Sequence, residues 1–225
     1  MKKNILNLTA LTLIVTASVF TGCKKDDVTA PVVTLTGASS ETISLQGTYT
    51  ELGATAQDDK DGKLTPTASG TVDVNTTGTY QITYSSTDAA GNTGTAVRTI
   101  TVVNDAAALA GTYTASETDS NGPYTYAQNN IITADANVNN RVELTRLGDF
   151  ANNTVYMTIA GPKITIPSQT VANVGTGTNT CDVHSRKTDG GGTVTSTGFT
   201  LTYNDEKVAP CSGTRSTVIA IFVKQ

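Results

Sequence analysis

Residues 71–84 read TVDVNTTGTYQITY. Val72 and Val74 alternate, Thr77-Gly78 supplies a turn, and Tyr80, Ile82 and Tyr84 then fall on one side of the chain. A side chain returning to the same face at every second position is the period of a half-buried strand. The period extends outward in both directions. Upstream, PVVTLTG and TISLQ put Val33, Leu35, Ile43 and Leu45 on alternate positions, and YTELGATAQD does so with Leu52, Ala54 and Ala56. Downstream, RTITVV closes with Ile100 and Val102. Turn residues recur roughly every 8–12 positions, which predicts a small antiparallel sandwich over residues 31–103.

The same segments carry the pattern Y-T-E-L-G-A-T-A-x-D-x-x-D-G-x-L, then G-T-Y-x-I-T-Y-x-x-x-D-x-x-G-N, then R-x-I-x-V. This resembles a bacterial immunoglobulin-like domain, a type common in surface proteins and also appended to insecticidal crystal toxins. The resemblance covers about a third of the chain. It implies an Ig-like sandwich used as a spacer or binding module, and it brings no catalytic residues. The paired Cys and core Trp of antibody-type domains are absent, so this core must close by aliphatic packing.

The whole chain has 225 residues, 37% hydrophobic and 15% charged, with 44 Thr, no Trp and one His. Thr and Val in such abundance favour strands. A net charge of −4 argues against nucleic acid as a partner, since phosphate binding needs a basic surface. The charge density is too low for a coiled coil or a disordered tail.

Residues 104–108, NDAAA, read as a linker, and a second unit runs over 109–225. Its candidate strands are GTYTAS, NNIITA, RVELTRL, TVYMTIA, KITIP, TVTSTGFTLTY and STVIAIFV. Val155, Met157 and Ile159 share one face, as do Phe199, Leu201 and Tyr203. The last strand is apolar on both faces, which places it centrally rather than at an edge. So many strands in this length predict a closed barrel or a second sandwich, making the chain all-β. LAGTYTASE and ITIPSQ resemble the C-terminal, loosely lipocalin-like β domain of many bacterial surface lipoproteins.

The first 22 residues read as a secretory signal, with Lys2 and Lys3 before the apolar run Ile5 to Phe20. VFTGC resembles a bacterial lipobox, which implies diacylation of Cys23 after cleavage, with palmitate as one of the added chains. Each buried methylene contributes about 0.8 kcal/mol, so several acyl chains hold a protein on a membrane durably. Residues 23–30 then form a tether. Its CKKDD start resembles the export signal of surface lipoproteins, which implies an outer-membrane protein exposed at the cell surface.

With Cys23 acylated, Cys181 and Cys211 remain, and an oxidising compartment favours a disulfide between them. The competing reading joins Cys181 to His184 as metal ligands, but CDVH lacks a second close ligand pair. Acids cluster at Asp58, Asp59 and Asp61, and Asp88 opens DAAGN. Asp58, Asp61 and Asp88 are a candidate cross-loop calcium site, against the plainer reading of turn and capping residues. No other cofactor is expected. Tyr124 and Tyr126, in NGPYTYAQNN, are candidates for stacking on a sugar, or for a strand face packed on the core.

There is no G-x-S-x-G, H-E-x-x-H or P-loop, and the Gly-rich GTGTN at 175–179 opens no helix. The expectation is a lipid-anchored, non-catalytic module for adhesion, spacing or binding, its partner a glycan or a surface protein. One alternative makes the second unit a polysaccharide hydrolase, whose carboxylate pair would come from Glu117, Asp119, Asp135, Glu143, Asp149, Asp189, Asp205 and Glu206. The other makes it a lipocalin-like carrier of a small apolar ligand, which needs an open cavity.

Overall fold

The computed structural model describes residues 26–120, 122–125, 129–149, 154–171, 186–207 and 216–225. Among them no helix is long and apolar enough to cross a membrane.

The N-terminal unit is an Ig-like sandwich. Strands β1 (Val32–Leu35), β3 (Ala54–Asp58) and β4 (Gly62–Leu64) form one sheet. Strands β2 (Ser40–Ser44), β7 (Thr93–Val103), β6 (Gly78–Thr87) and β5 (Thr67–Ser69) form the other, in that order. The first edge strand is split. β1 pairs antiparallel with β3, and after Gly37 the chain crosses so that β2 runs parallel to β7. Alternation decides the interior, where Ile43, Leu45, Ile82, Tyr84, Ile100 and Val102 are buried with Val33, Leu35, Val72, Val74 and Tyr80 packed against them.

Two local expectations are corrected. Leu52 does not share a buried face with Ala54 and Ala56. It is 59% exposed, because β3 starts only at Ala54 and Gly53 (φ +83°) turns the chain before it. Val72 and Val74 contribute to the core from an irregular segment, since β6 begins at Gly78.

The C-terminal unit is a closed barrel. Its strands are β8 (Gly111–Asp119), β9 (Gly122–Thr125), β10 (Asn130–Ala134), β11 (Arg141–Thr145), β12 (Thr154–Ala160), β13 (Lys163–Val171), β14 (Arg186–Val194), β15 (Gly198–Lys207) and β16 (Ser216–Lys224). β8 and β10–β16 make an eight-stranded antiparallel ring, closed because β8 pairs with both β16 and β10. β9 pairs with the far half of β8 and β10 with the near half, so the two act as one interrupted strand. This is the up-and-down architecture of lipocalins.

TVTSTGFTLTY is not one strand. Thr195 N donates to Gly198 O, and a turn divides it into the end of β14 and the start of β15. The Gly run 190–192 lies inside β14. A Cβ on Gly190 or Gly192 would strike the Thr202 or Thr200 carbonyl of β15, so glycine sets how closely these strands approach. β16 is paired on both sides, but its outer side chains Ile219, Ile221 and Val223 are 54%, 50% and 44% exposed. Its double apolar face therefore does not reflect burial on both sides.

β8 enters the barrel at Gly111, the near end. The turns 135–140, 161–162 and 195–197 also lie at that end. The strand ends at Asp119, Thr145, Thr154, Val171, Arg186, Lys207 and Ser216 lie at the far end. Aromatic packing fills the near half. Phe199 stacks on Phe222 with centroids 4.4 Å apart, and Tyr113 meets Phe199 edge-on at 5.1 Å.

Candidate functional site

Arg98 is the buried centre of the sandwich's split edge. It is 2% exposed, and its Nε donates to Glu51 Oε1 at 2.9 Å. Its Nη2 donates to the carbonyls of Thr36 (2.7 Å) and Gly53 (3.2 Å), and its Nη1 to Ala38. One guanidinium thus fixes the crossing from β1 to β2 and the approach to β3. Burial pushes the Glu51 carboxyl up, but donation from Tyr49 Oη, Gly53 N, Tyr84 and Arg98 outweighs it and brings the group to about 2. Burial and the adjacent Glu51 drive Tyr49 well above the ordinary phenol range. Both Glu51 and Arg98 lie in the motif segments, but no spacing rule marks them as partners.

The acidic turns do meet. Ala89 N donates to Asp61 Oδ2 at 2.6 Å, which joins the β3–β4 turn to the β6–β7 turn. Asp88 is 7% exposed and occupied: Oδ1 accepts from Ala90 N (2.9 Å) and Asn92 N (2.8 Å), and Oδ2 from Asn92 Nδ2 (2.8 Å). Burial raises its pKa, but these donors more than offset that and hold it below the ordinary value. Asp58 is 3% exposed, with Oδ1 accepting from Lys60 N (2.9 Å) and Asp61 N (2.8 Å). Its Oδ2 is buried without a hydrogen-bond partner. Among the described residues, the acids that converge around Asp58 are Asp27 and Asp59, with one carboxylate oxygen from each within 4.8 Å of the others. Asp27 belongs to the tether, and its distance in sequence hid it.

In the far half of the barrel the lining turns polar. Glu117, Tyr203 and Thr188 are 5%, 3% and 3% exposed, and Tyr203 Oη donates to Glu117 Oε1 at 2.8 Å. Thr188 Oγ1 is buried with no hydrogen-bond partner. Tyr124 stands opposite Glu117 in the β8–β9 register, and directly opposed residues share a face. Tyr124 is nevertheless 47% exposed, so an open aromatic ring sits on the inner face of the barrel's far end. Tyr126, Cys23, Cys181, Cys211 and His184 lie outside the described residues.

The carboxylates of the hydrolase reading divide. Glu117, Asp119 and Asp205 fall on the inner face at the barrel's far end, since Glu117 is buried there, Asp119 lies two residues on in β8 and Asp205 opposes the buried Thr188. Asp135, Glu143 and Asp189 do not join them. Asp135 lies in a near-end turn, bound by Arg141 Nε at 2.6 Å and by the amides of Asn137 and Val138. Glu143 is exposed in β11, between the inward-facing Val142 and Leu144. Asp189 accepts from Asn204 Nδ2 at 2.8 Å, while Glu117 faces the interior. The side chain of Asp149 is outside the described set.

The junction between the units is packed. Asn104 is 3% exposed, and its Nδ2 donates to the carbonyls of Asp135, Val138 and Arg141 at 2.9, 3.0 and 2.9 Å. Its Oδ1 accepts from Ala106 N (2.9 Å) and Asn140 N (3.0 Å). Asp105 accepts from Ser44 Oγ at 2.7 Å and from Asn139 Nδ2 at 2.9 Å. Thr77 N reaches Ala136 O at 2.9 Å, and Asn139 N reaches Gln46 Oε1 at 3.3 Å. Sandwich, linker and barrel turn therefore share one hydrogen-bond network.

Residues 33–102 match the family described as bacterial surface protein, Ig-like domain. No curated protein matches the chain. Among solved structures, a crystal structure of a lipoprotein from Bacteroides thetaiotaomicron is similar at 18% identity, covering 87% of this chain and 100% of that one, with a TM-score of 0.33.

Proposed function

We propose that this chain is a lipid-anchored, non-catalytic cell-surface protein that binds a glycan at the far end of its barrel. The observation that carries the reading is Tyr124, an exposed aromatic ring sharing a face with the buried Glu117–Tyr203 pair. Sugars present apolar faces that stack on aromatic rings, and hydroxyls that seek fixed acceptors. The anchor at Cys23 rests on the lipobox-like VFTGC, and the surface location is supported by the bacterial surface-protein family that residues 33–102 match. In this arrangement the Ig-like unit is a spacer. Its hydrogen-bonded junction holds the near end of the barrel, so the far end points away from the tether.

A binding array carrying glycans and matrix proteins, probed with the purified protein, tests this reading. We expect retention on a subset of glycans, weakened at least about tenfold by Tyr124→Ala with melting unchanged, as loss of one stacked ring implies. Binding confined to protein spots, or unaffected by Tyr124→Ala, overturns it.

A further inference from the structure

We infer that Asp27, Asp58 and Asp59 form a site for one hard divalent cation, calcium, which clamps the tether onto the Ig-like sandwich. The geometry is that of a shared ion. Oxygens bound to calcium at about 2.3–2.6 Å can be at most about 5 Å apart. One carboxylate oxygen from each of these three residues lies within 4.8 Å of the other two.

Asp58 supplies a second, independent reason. It is 3% exposed, and its Oδ1 is pinned by two backbone amides, so the carboxylate cannot swing to solvent. That leaves Oδ2 buried with no hydrogen-bond partner. A buried carboxylate oxygen without a donor is costly, and a metal ion is one of the few groups that can satisfy it. Asp27 is held in place as well: Oδ1 accepts from Thr29 N at 3.1 Å and its carbonyl from Asn92 Nδ2 at 3.1 Å.

Charge points the same way. Among the described residues, Lys60 stands beside the cluster, its half-exposed Nζ 3.4 Å from Asp27 Oδ1. Three carboxylates and one ammonium leave a charge of −2, which a divalent cation balances. The donor set differs from the Asp58, Asp61 and Asp88 combination that the sequence presents. Asp61 is committed to Ala89 N and Asp88 to the Asn92 turn, so neither is needed for the ion. Three protein oxygens leave the rest of the coordination to water. That places the affinity in the weak class of extracellular modules, with Kd of about 10⁻⁴–10⁻³ M.

The consequence is mechanical. Asp27 is four residues beyond Cys23, whereas Asp58 and Asp59 belong to the sandwich. An ion shared among them sets the angle at which the sandwich leaves its tether, whatever the barrel binds.

The test is calcium titration of the purified full chain by calorimetry, with magnesium as control and melting followed in calcium and in chelator. One calcium per chain is expected, together with a rise in melting temperature and protection of residues 26–31 from protease. Asp27→Asn and Asp59→Asn should each weaken binding at least about tenfold, as loss of one charged ligand implies, while melting in chelator stays as in the parent. Asp58→Asn also removes the acceptor of two turn amides, so the other two variants decide. Lys60→Gln should tighten binding by removing the competing ammonium. No binding up to about 10 mM calcium, well above the weak class, overturns the site. Calcium binding undiminished in Asp27→Asn overturns the clamp.

Discussion

Arg98 and Glu51, 47 residues apart in sequence, form an ion pair at 2.9 Å in which the guanidinium is 2% exposed. The same guanidinium serves three backbone carbonyls at the split edge strand. Arg98→Met removes the guanidinium from those carbonyls and from the carboxylate, while Glu51 keeps Tyr49 Oη and Gly53 N and the Gly53 carbonyl keeps Thr36 N. It should destabilise the sandwich by about 3–5 kcal/mol, the usual cost of breaking a buried pair from one side. Adding Glu51→Leu should recover part of that loss, because no uncompensated charge then remains. Denaturant unfolding of the two variants checks both statements, and a double variant no better than the single would contradict the second.

Glu51 also sets an acid limit. Its carboxyl falls to about 2 in the folded protein, from 4.5 in the unfolded chain. A depressed folded pKa contributes stability that is complete above the unfolded value and is lost as pH falls through the folded one. The sandwich should therefore lose stability between about pH 4.5 and pH 2, by on the order of 2 kcal/mol after allowance for its partial exposure. Glu51→Gln should flatten that part of the stability–pH curve.

The strands of the sandwich were legible because alternation there matches burial: Ile82 and Tyr84, and Ile100 and Val102, are buried as the period requires. Much of the barrel was legible for the same reason. What escaped was set by contacts between distant residues. The Gly run in β14 carries no apolar period, and its place in a strand depends on how closely β15 approaches. Asn104 sits in a stretch that reads as an ordinary polar linker, yet the turn 135–141 wraps around it. Asp27 joins Asp58 only because the tether folds back onto the sandwich. Pro167 breaks the β13–β14 register, and Gln169 then bonds the backbone of Tyr156 with its side-chain amide, an arrangement with no local signature.

The junction should be cooperative. Asn104→Ala removes three donated and two accepted hydrogen bonds at a buried position. The cost should be about 1–3 kcal/mol, and calorimetry should show a single transition splitting into separate melting of sandwich and barrel. Acid should act at the same place. Hydrogen bonds from Asn139 and Ser44 hold Asp105 below the ordinary carboxylate range. At Asp135 burial works upward, but the Asn137 amide and Arg141 prevail and lower it. Both groups contribute stability above their unfolded pKa, so the junction weakens as they are protonated. Small-angle scattering across that range should show the two units losing their fixed arrangement before either unfolds.

The anchor is tested by metabolic labelling. Palmitate supplied to expressing cells should enter the parent protein and be absent from Cys23→Ala. Equal labelling of the two would remove the lipid anchor, and protease treatment of intact cells separates surface display from a periplasmic location.

We propose a disulfide between Cys181 and Cys211, a reading that rests on the oxidising compartment and is supported by the register of two described strands. Arg186 and Lys207 are direct partners at the far ends of β14 and β15. Cys181 lies five residues before the first and Cys211 four residues after the second. Chain segments of nearly equal length therefore leave neighbouring strand ends, which lie about 5 Å apart across a ladder. That is compatible with the Cα separation of under about 7 Å that a bridge requires. In an oxidising compartment the pair should be closed, and mass spectrometry of protein taken directly from the envelope should find no free thiol there. Reduction should cost the barrel about 2–4 kcal/mol and leave the sandwich transition in place, since both cysteines lie in one unit. The comparison works best in the Asn104→Ala background, where the two units are expected to melt separately. Two titratable thiols in freshly isolated protein would defeat the disulfide and return Cys181 to its alternative partnership with His184.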